Sequence, residues 1–536
     1  MKGCVSLEKI NYQEFYRYDE LVKFLENVSD NKKDFCKLIS LADTRECRKL
    51  YLLEVTDYST GKAEGKSAYY VQANVHSNES AGTMAALHLI NSLLYCDEYK
   101  ELLKKVTFYI VPRVNPDGAE LALTTHAPIR SRLEATDRRN GLVPEDLNGD
   151  GMILNMRWED PTGRFVEDEI DKRIMVTRRP GDKGPFYKLH TEGIISNYDG
   201  TSITDGCRHF DFNRNYPENW DNRMEVAGAY PFSEIETRAV GDFLISHPNI
   251  FAAIDLHCGT PAILRPSFLS DNDMDQADLS LILEFGKAAE KLIGFPLMRS
   301  SDYRQPWQKP DILPGNSIDW FYKNLGIFGY TIELGWGLSS AGIFGNESFV
   351  ADSRTRETTF MRKVLEFHDS KGSKIFTPWQ EFEHPQLGKV EIGGLMTGNA
   401  RFMYPPDMEE ISPRVTEFLT KHAEQHPELI ICNIEKESPT EGIYRIRATV
   451  GNIGGLSTRV MNGGGGFEKK IPVKTRILSE DNIEILNQIL VYEVDNLAAL
   501  GDSYKQEWFI KGKPGDNIII ETFQPKAGMK KVEIIL

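Results

Sequence analysis

The chain has 536 residues, 40% hydrophobic and 26% charged, with a formal net charge of −16 at pH 7 and a pI near 5.3. That length suits two or three domains and the composition is that of a globular protein. The acidic balance argues against nucleic acid or an anionic membrane surface as a partner, since phosphate contacts need a basic face. Seven scattered cysteines, none in a CxxC pair, fit a reduced compartment better than a disulfide scaffold. The N-terminus lacks an apolar signal core, and no apolar run reaches the ~18 residues of a membrane span. As it stands the polypeptide is expected to be soluble, without membrane insertion, and cytoplasmic, or else secreted or periplasmic if a leader has been removed.

In chain order, the first 370 residues alternate helix-like and strand-like segments, which predicts an α/β domain. YDELVKFLENV (18–28) reads as a helix, KLYLLEVTDY (49–58) as a strand, and SAYYVQANVH (67–76) as a second strand. A helix follows over about 80–95, then the strand KVTFYIVPRV (105–114), closed by the turn signal NPDG. Residues 119–208 are rich in Arg, Asp and Gly and read as a long polar insertion. NIFAAIDLH (249–257) and GIFGYTIEL (326–334) return to apolar strands suited to a sheet centre, with an amphipathic helix at 279–293 between them. A helix at about 411–425 closes the first domain, set at residues 1–428. From 429 to 536, alternating runs such as YRIRATV, separated by GNIGG, GGGG and KPGDN, predict an all-β sandwich of immunoglobulin-like type.

Two histidines stand out because each ends an apolar strand: His76, followed three residues later by Glu79, and His257. Ligands of open α/β sheets bind at the carboxyl ends of strands. Two histidines and a glutamate are a donor set of catalytic zinc sites, which keep one position open for water. Each residue alone also reads as a surface pair or a backbone-satisfied core histidine.

Further segments then fall in an order that resembles the zinc carboxypeptidase family. These are NPDG (115–118), DFNRNYP (211–217), PFSEIETRAV (231–240), IDLHC (254–258), GNSIDWFY (315–322) and TIELGW (331–336), spread over about residues 12–370. HPQLGKVEIGG (384–394) resembles a segment that follows the catalytic domain in bacterial members. The resemblance implies a central mixed β-sheet flanked by helices, with zinc held by His76, Glu79 and His257. It implies Glu333 as the general base toward a zinc-activated water, and Arg130, with Arg132 a close rival, as the oxyanion-stabilising cation. Asn213 and Arg214 would hold the substrate's terminal carboxylate, a task for which arginine's planar fork is suited. A structural Arg214–Asp211 pair is the alternative.

The chain departs from the family at three places. An arginine common within the His-x-x-Glu motif is Asn78, and the family's mobile tyrosine falls on Asp311, with Tyr303 as a stand-in. The position that selects basic side chains in some members is Ile318, which favours an apolar or small terminal residue. Separately, DLNGDGMI (146–153) places Asp146, Asn148 and Asp150 as in a calcium-binding loop with glycine sixth, although the twelfth position is Arg157. These three are candidate calcium ligands, against a plain polar turn.

The expected function is zinc-dependent hydrolysis of the C-terminal bond of a peptide carrying a free carboxylate. Cleavage of cell-wall or γ-linked peptides, and a non-catalytic binding protein that keeps the fold, are the alternatives.

Overall fold

The computed structural model describes residues 10–127, 129–266, 270–303, 313–335, 353–396, 404–464, 471–479 and 483–536. Asp311 lies outside them. The centre is an eight-stranded sheet of β1 (Cys36–Asp43), β2 (Lys49–Val55), β3 (Ser67–Ala73), β4 (Val106–Val111), β5 (Ile250–His257), β6 (Ala262–Arg265), β7 (Leu297–Arg299) and β8 (Phe328–Glu333). Their order is β1-β2-β4-β3-β5-β8-β6-β7, with β4, β3, β5 and β8 mutually parallel and β1, β2 and β6 supplying antiparallel pairings. The sheet is therefore mixed, and the carboxyl ends of β3, β5 and β8 lie side by side.

Those three strands are apolar along their length because both of their faces are covered. On one face Tyr69, Val71, Ile254 and Ile332 meet α1 (Tyr18–Asn31), α2 (Ala81–Tyr95), α4 (Gln276–Ile293) and α6 (Met408–Ala423). On the other, Tyr70 and Ala253 meet α3 (Ile235–Ser246) and α5 (Ser317–Leu325). Ile254 is 0% exposed, so Ile254→Ala is expected to cost about 2–5 kcal/mol. Among the described residues no helix is long and apolar enough to cross a membrane.

The polar stretch 119–208 is more ordered than its composition suggests. NPDG opens a helix, Pro116–Thr125, with Asn115 accepting from the Gly118 amide and proline at its first position. Beyond it, short strands at 155–159, 165–167, 175–177 and 187–191 join the hairpin Phe376–His384 and Gly388–Leu395 in a six-stranded sheet. Strands of three to five residues leave no readable alternation, which is why the sequence looked loop-like. Cys96, just past α2, is buried. Cys36, Cys47, Cys207, Cys258 and Cys432 are free.

The C-terminal region forms two antiparallel four-stranded sheets. Ile446, Trp508, Ile510, Ile518 and Ile520 fill the space between them. One segment leaves this sandwich: Leu456, Val460 and Met461 are buried in the core beneath α4 and α6.

Candidate metal centre and substrate pocket

Three neighbouring strand ends build the site. After β3, Asn74 takes a left-handed backbone (φ 58°) and its side chain donates to the His76 carbonyl, turning the chain so that His76 and Glu79 face the next strand end. His257 is the last residue of β5, and Glu333, the last of β8, is its direct register partner. The Ser77 amide donates to the Arg130 carbonyl and the Ser77 hydroxyl to that of Ser131, while Asn115 donates to Ser131 as well. NPDG thereby braces the loop that carries Arg130.

His76 Nδ1 lies 2.9 Å from Glu79 Oε1, His257 Nδ1 2.9 Å from Glu79 Oε2, and the two Nδ1 atoms 3.1 Å from each other. One donor atom from each of these buried residues lies within 4.8 Å of the other two. The outer nitrogens face carboxylates: His76 Nε2 is 3.1 Å from Asp211 Oδ1, and His257 Nε2 is 3.1 Å from Asp255 Oδ2. Both Nδ1 atoms therefore stand on the Glu79 side, where they can serve as metal donors while the carboxylates orient the rings from behind. Three electron-pair donors converging in a buried space call for a cation, and nitrogen, nitrogen and carboxylate oxygen suit zinc.

Electrostatics divide the two glutamates. Burial works against ionisation of Glu79, but His76, Arg130 and His257 outweigh it and hold its carboxyl well below the usual range. Arg130 Nη1 donates to Glu79 Oε1 at 2.7 Å. Burial pushes Glu333 up to about 8, with Glu79 and Asp255 reinforcing and His257 and Arg130 opposing. The same pocket therefore holds one fixed carboxylate and one suited to carry a proton near neutrality.

A cavity of about 630 Å³ opens onto these groups, lined also by Asn213, Arg214, Ile318, Leu264, Leu313 and Tyr303. Arg214 is 8% exposed, and its guanidinium donates to the Asn213 carbonyl. Among the described residues no carboxylate lies within ion-pair distance of it, because Asp211 turns instead to His76 and Arg130. Asn213 Oδ1 accepts from the Ser317 amide at 2.8 Å, which leaves the Asn213 NH2 as a donor. Arg132 is drawn elsewhere, pairing with Glu134 and Glu234 over the Phe210 ring, so only Arg130 of the two rivals reaches the pocket. Tyr303 donates to the Thr260 carbonyl. Gly259 makes room beside it, since a Cβ there would sit 2.3 Å from the Tyr303 hydroxyl and 3.1 Å from Glu333 Oε2.

A zinc carboxypeptidase family model matches residues 21–344, more than half of the chain. The chain belongs to the zinc carboxypeptidase family. Rat (Rattus norvegicus) carboxypeptidase B2 is 24% identical over 333 residues, covering 60% of this chain and 63% of the relative. The catalytic chain of rat carboxypeptidase N is 31% identical over 148 residues, 26% of this chain and 31% of its own. Among solved structures, carboxypeptidase A from Helicoverpa armigera aligns with a TM-score of 0.45 at 15% identity, over 79% of this chain and 76% of that one. The chain thus spans about 63% of the length of the first curated relatives it matches. A second model, a domain of unknown function, matches residues 428–535.

The calcium expectation finds no support. Asp146 accepts from the Gly149 and Gly151 amides, Asn148 from Asp150, and Asp150 from Met152, so the loop spends its oxygens on its own backbone. Arg157 pairs with Glu167 and Glu391, Glu159 lies in a strand, and Asp160 caps Thr162, so none closes the loop as a twelfth ligand. Asp146, Asn148 and Asp150 form a polar turn. Two residues behind the site are not singled out by the sequence: Asp255, whose place behind His257 is set by the fold, and Asp211, which pairs with His76 rather than Arg214.

Proposed function

We propose that the protein is a zinc-dependent metallocarboxypeptidase that removes the C-terminal residue of peptides. The reading rests on one juxtaposition: the His76–Glu79–His257 donor set stands beside Glu333 and shares a cavity with Arg214, a buried cation with no carboxylate in ion-pair distance among the described residues. Zinc, when bound, lowers the pKa of a coordinated water toward neutrality and polarises the scissile carbonyl. Glu333 takes the proton of the attacking water and returns it to the leaving amine, and its raised pKa suits both transfers. Arg130 places a cation where oxyanion charge develops. Arg214 and the Asn213 NH2 hold the terminal carboxylate and so select the last residue of a chain.

Ile318, Leu264 and Leu313 give the pocket apolar walls, and among the described residues that line it Glu333 is the acidic one. The released residue is accordingly apolar or small rather than basic. Tyr303, on the same cavity, is our candidate for the tyrosine whose family position falls on Asp311. We also retain two domains, 1–428 and 429–536, as the proposed division.

Zinc content and cleavage of matched peptides test the reading. A free C-terminus should be cleaved and its amidated twin spared. Arg214→Ala should narrow that difference by raising KM for the free acid. Equal cleavage of both twins by the native protein contradicts the carboxypeptidase reading, and a preference for muropeptides over linear peptides replaces its substrate.

A further inference from the structure

The glycine run 463–466 has no role in the chemistry above, yet its first two residues lie against α5. A Cβ on Gly464 would fall 2.3 Å from Gly326 Cα and 2.4 Å from the Tyr322 carbonyl oxygen, so only glycine lets the two backbones approach this closely. Asp278, 0% exposed on α4, accepts from the Asn462 amide (2.8 Å), the Gly463 amide (2.7 Å) and the Tyr322 hydroxyl (2.7 Å). Lys526, also from the C-terminal region and 5% exposed, donates to the carbonyls of Leu325 (2.9 Å) and Gly326 (3.0 Å) at the end of α5. A buried ammonium there satisfies carbonyls that have no partner within the helix and matches the negative end of its dipole.

The other end of α5 lies in the site. The Ser317 amide donates to Asn213, the Ser317 hydroxyl donates to Asp255 behind His257, and Ile318 lines the cavity. A nine-residue helix spans only about 13 Å, and it is rigid enough to carry a displacement from one end to the other.

We propose that the C-terminal domain is a positioning device for the active site, in which Lys526, Gly464 and the Asp278 latch fix α5 and through it the substrate pocket. Lys526 and Asp278 are positioning residues, remote from the reacting atoms. The device deepens the carboxypeptidase reading, on which its kinetic consequence rests, but its structural consequence does not depend on it.

The test uses the full chain with Lys526→Met, Lys526→Arg and Gly464→Ala. Amide hydrogen exchange should show α5 losing about tenfold or more of its protection in Lys526→Met and Gly464→Ala, with α2 unchanged. Kinetically, KM for a free-acid peptide should rise about fivefold with kcat within about twofold, the loss expected from a relaxed binding wall. Lys526→Arg, which keeps the charge, should restore both. Should Lys526→Met fail to fold, Gly464→Ala and Asp278→Asn carry the same two measurements. Native protection of α5 in the folded variants overturns the proposal. Lost protection with unchanged KM confines it to stability and overturns the role at the site. A native chain that cleaves no peptide defeats the proposed function instead, and the exchange data still decide the clamp.

Discussion

The Nδ1 atoms of His76 and His257 stand 3.1 Å apart, each 2.9 Å from a different oxygen of Glu79. Their Nε2 sides turn to Asp211 and Asp255, which leaves both Nδ1 atoms on the Glu79 side. Both Nδ1 atoms and a Glu79 oxygen can close on one cation, so metal and fold should be linked. Chelation should lower the melting temperature of the native protein, and zinc should restore it, because a ligand that binds only the folded state stabilises by mass action. His257→Ala should lose both the zinc and the chelator effect.

The outer carboxylates have a separable role. Asp211→Asn and Asp255→Asn leave the three donors in place but remove the negative charge that fixes each imidazole. Zinc affinity, measured by competition with a chromogenic chelator, should fall about 10–100-fold in each. Unchanged affinity in both would show that the rings are oriented by packing alone.

Much of this centre could be read in the sequence because its chemistry interrupts pattern. His76, His257 and Glu333 each end an apolar run, where a polar side chain needs a reason. Asp255 also interrupts such a run but points behind the site, toward Ser317, a relationship set by strand register and invisible in one dimension. Asp211 meets His76 across 135 residues. The Asp146 loop is ambiguous in sequence, since alternating oxygens around glycines serve a self-capping turn as well as calcium. The insertion's strands are hidden because they are short, and Asn155–Glu159 finds its partner, Gly388–Leu395, far along the chain.

Glu236, buried at the start of α3 with an unpartnered Oε2, offers a pH test remote from the metal. Burial raises its carboxyl to about 7, with Asp117 and Glu234 adding to the rise. A raised folded-state value means its favourable protonation is fully present below the unfolded value of 4.5 and is lost as pH rises through about 7. Glu236→Gln should therefore be more stable than the native chain near pH 8, by on the order of 2–3 kcal/mol, and gain nothing near pH 4. Denaturant unfolding at the two pH values measures it.

His422 works with the opposite sign. It is buried on α6 against Phe418, with the Tyr69 hydroxyl 2.8 Å from Nδ1, and burial lowers it to about 3. A depressed value keeps the ring neutral in the fold, so stability is lost as pH falls below the unfolded 6.5, where the unfolded chain takes up the proton. His422→Leu should be less stable at neutral pH for want of the Tyr69 bond, yet show a shallower loss between about pH 6 and pH 4.

The central claim, a zinc-dependent hydrolytic site worked by Glu333, is tested most directly by measuring metal content and peptide turnover together in the native protein and in Glu333→Gln. The account predicts about one zinc per chain in both, with turnover falling at least about 100-fold in the variant. A native protein that binds no zinc, or a Glu333→Gln variant that cleaves at the native rate, contradicts it.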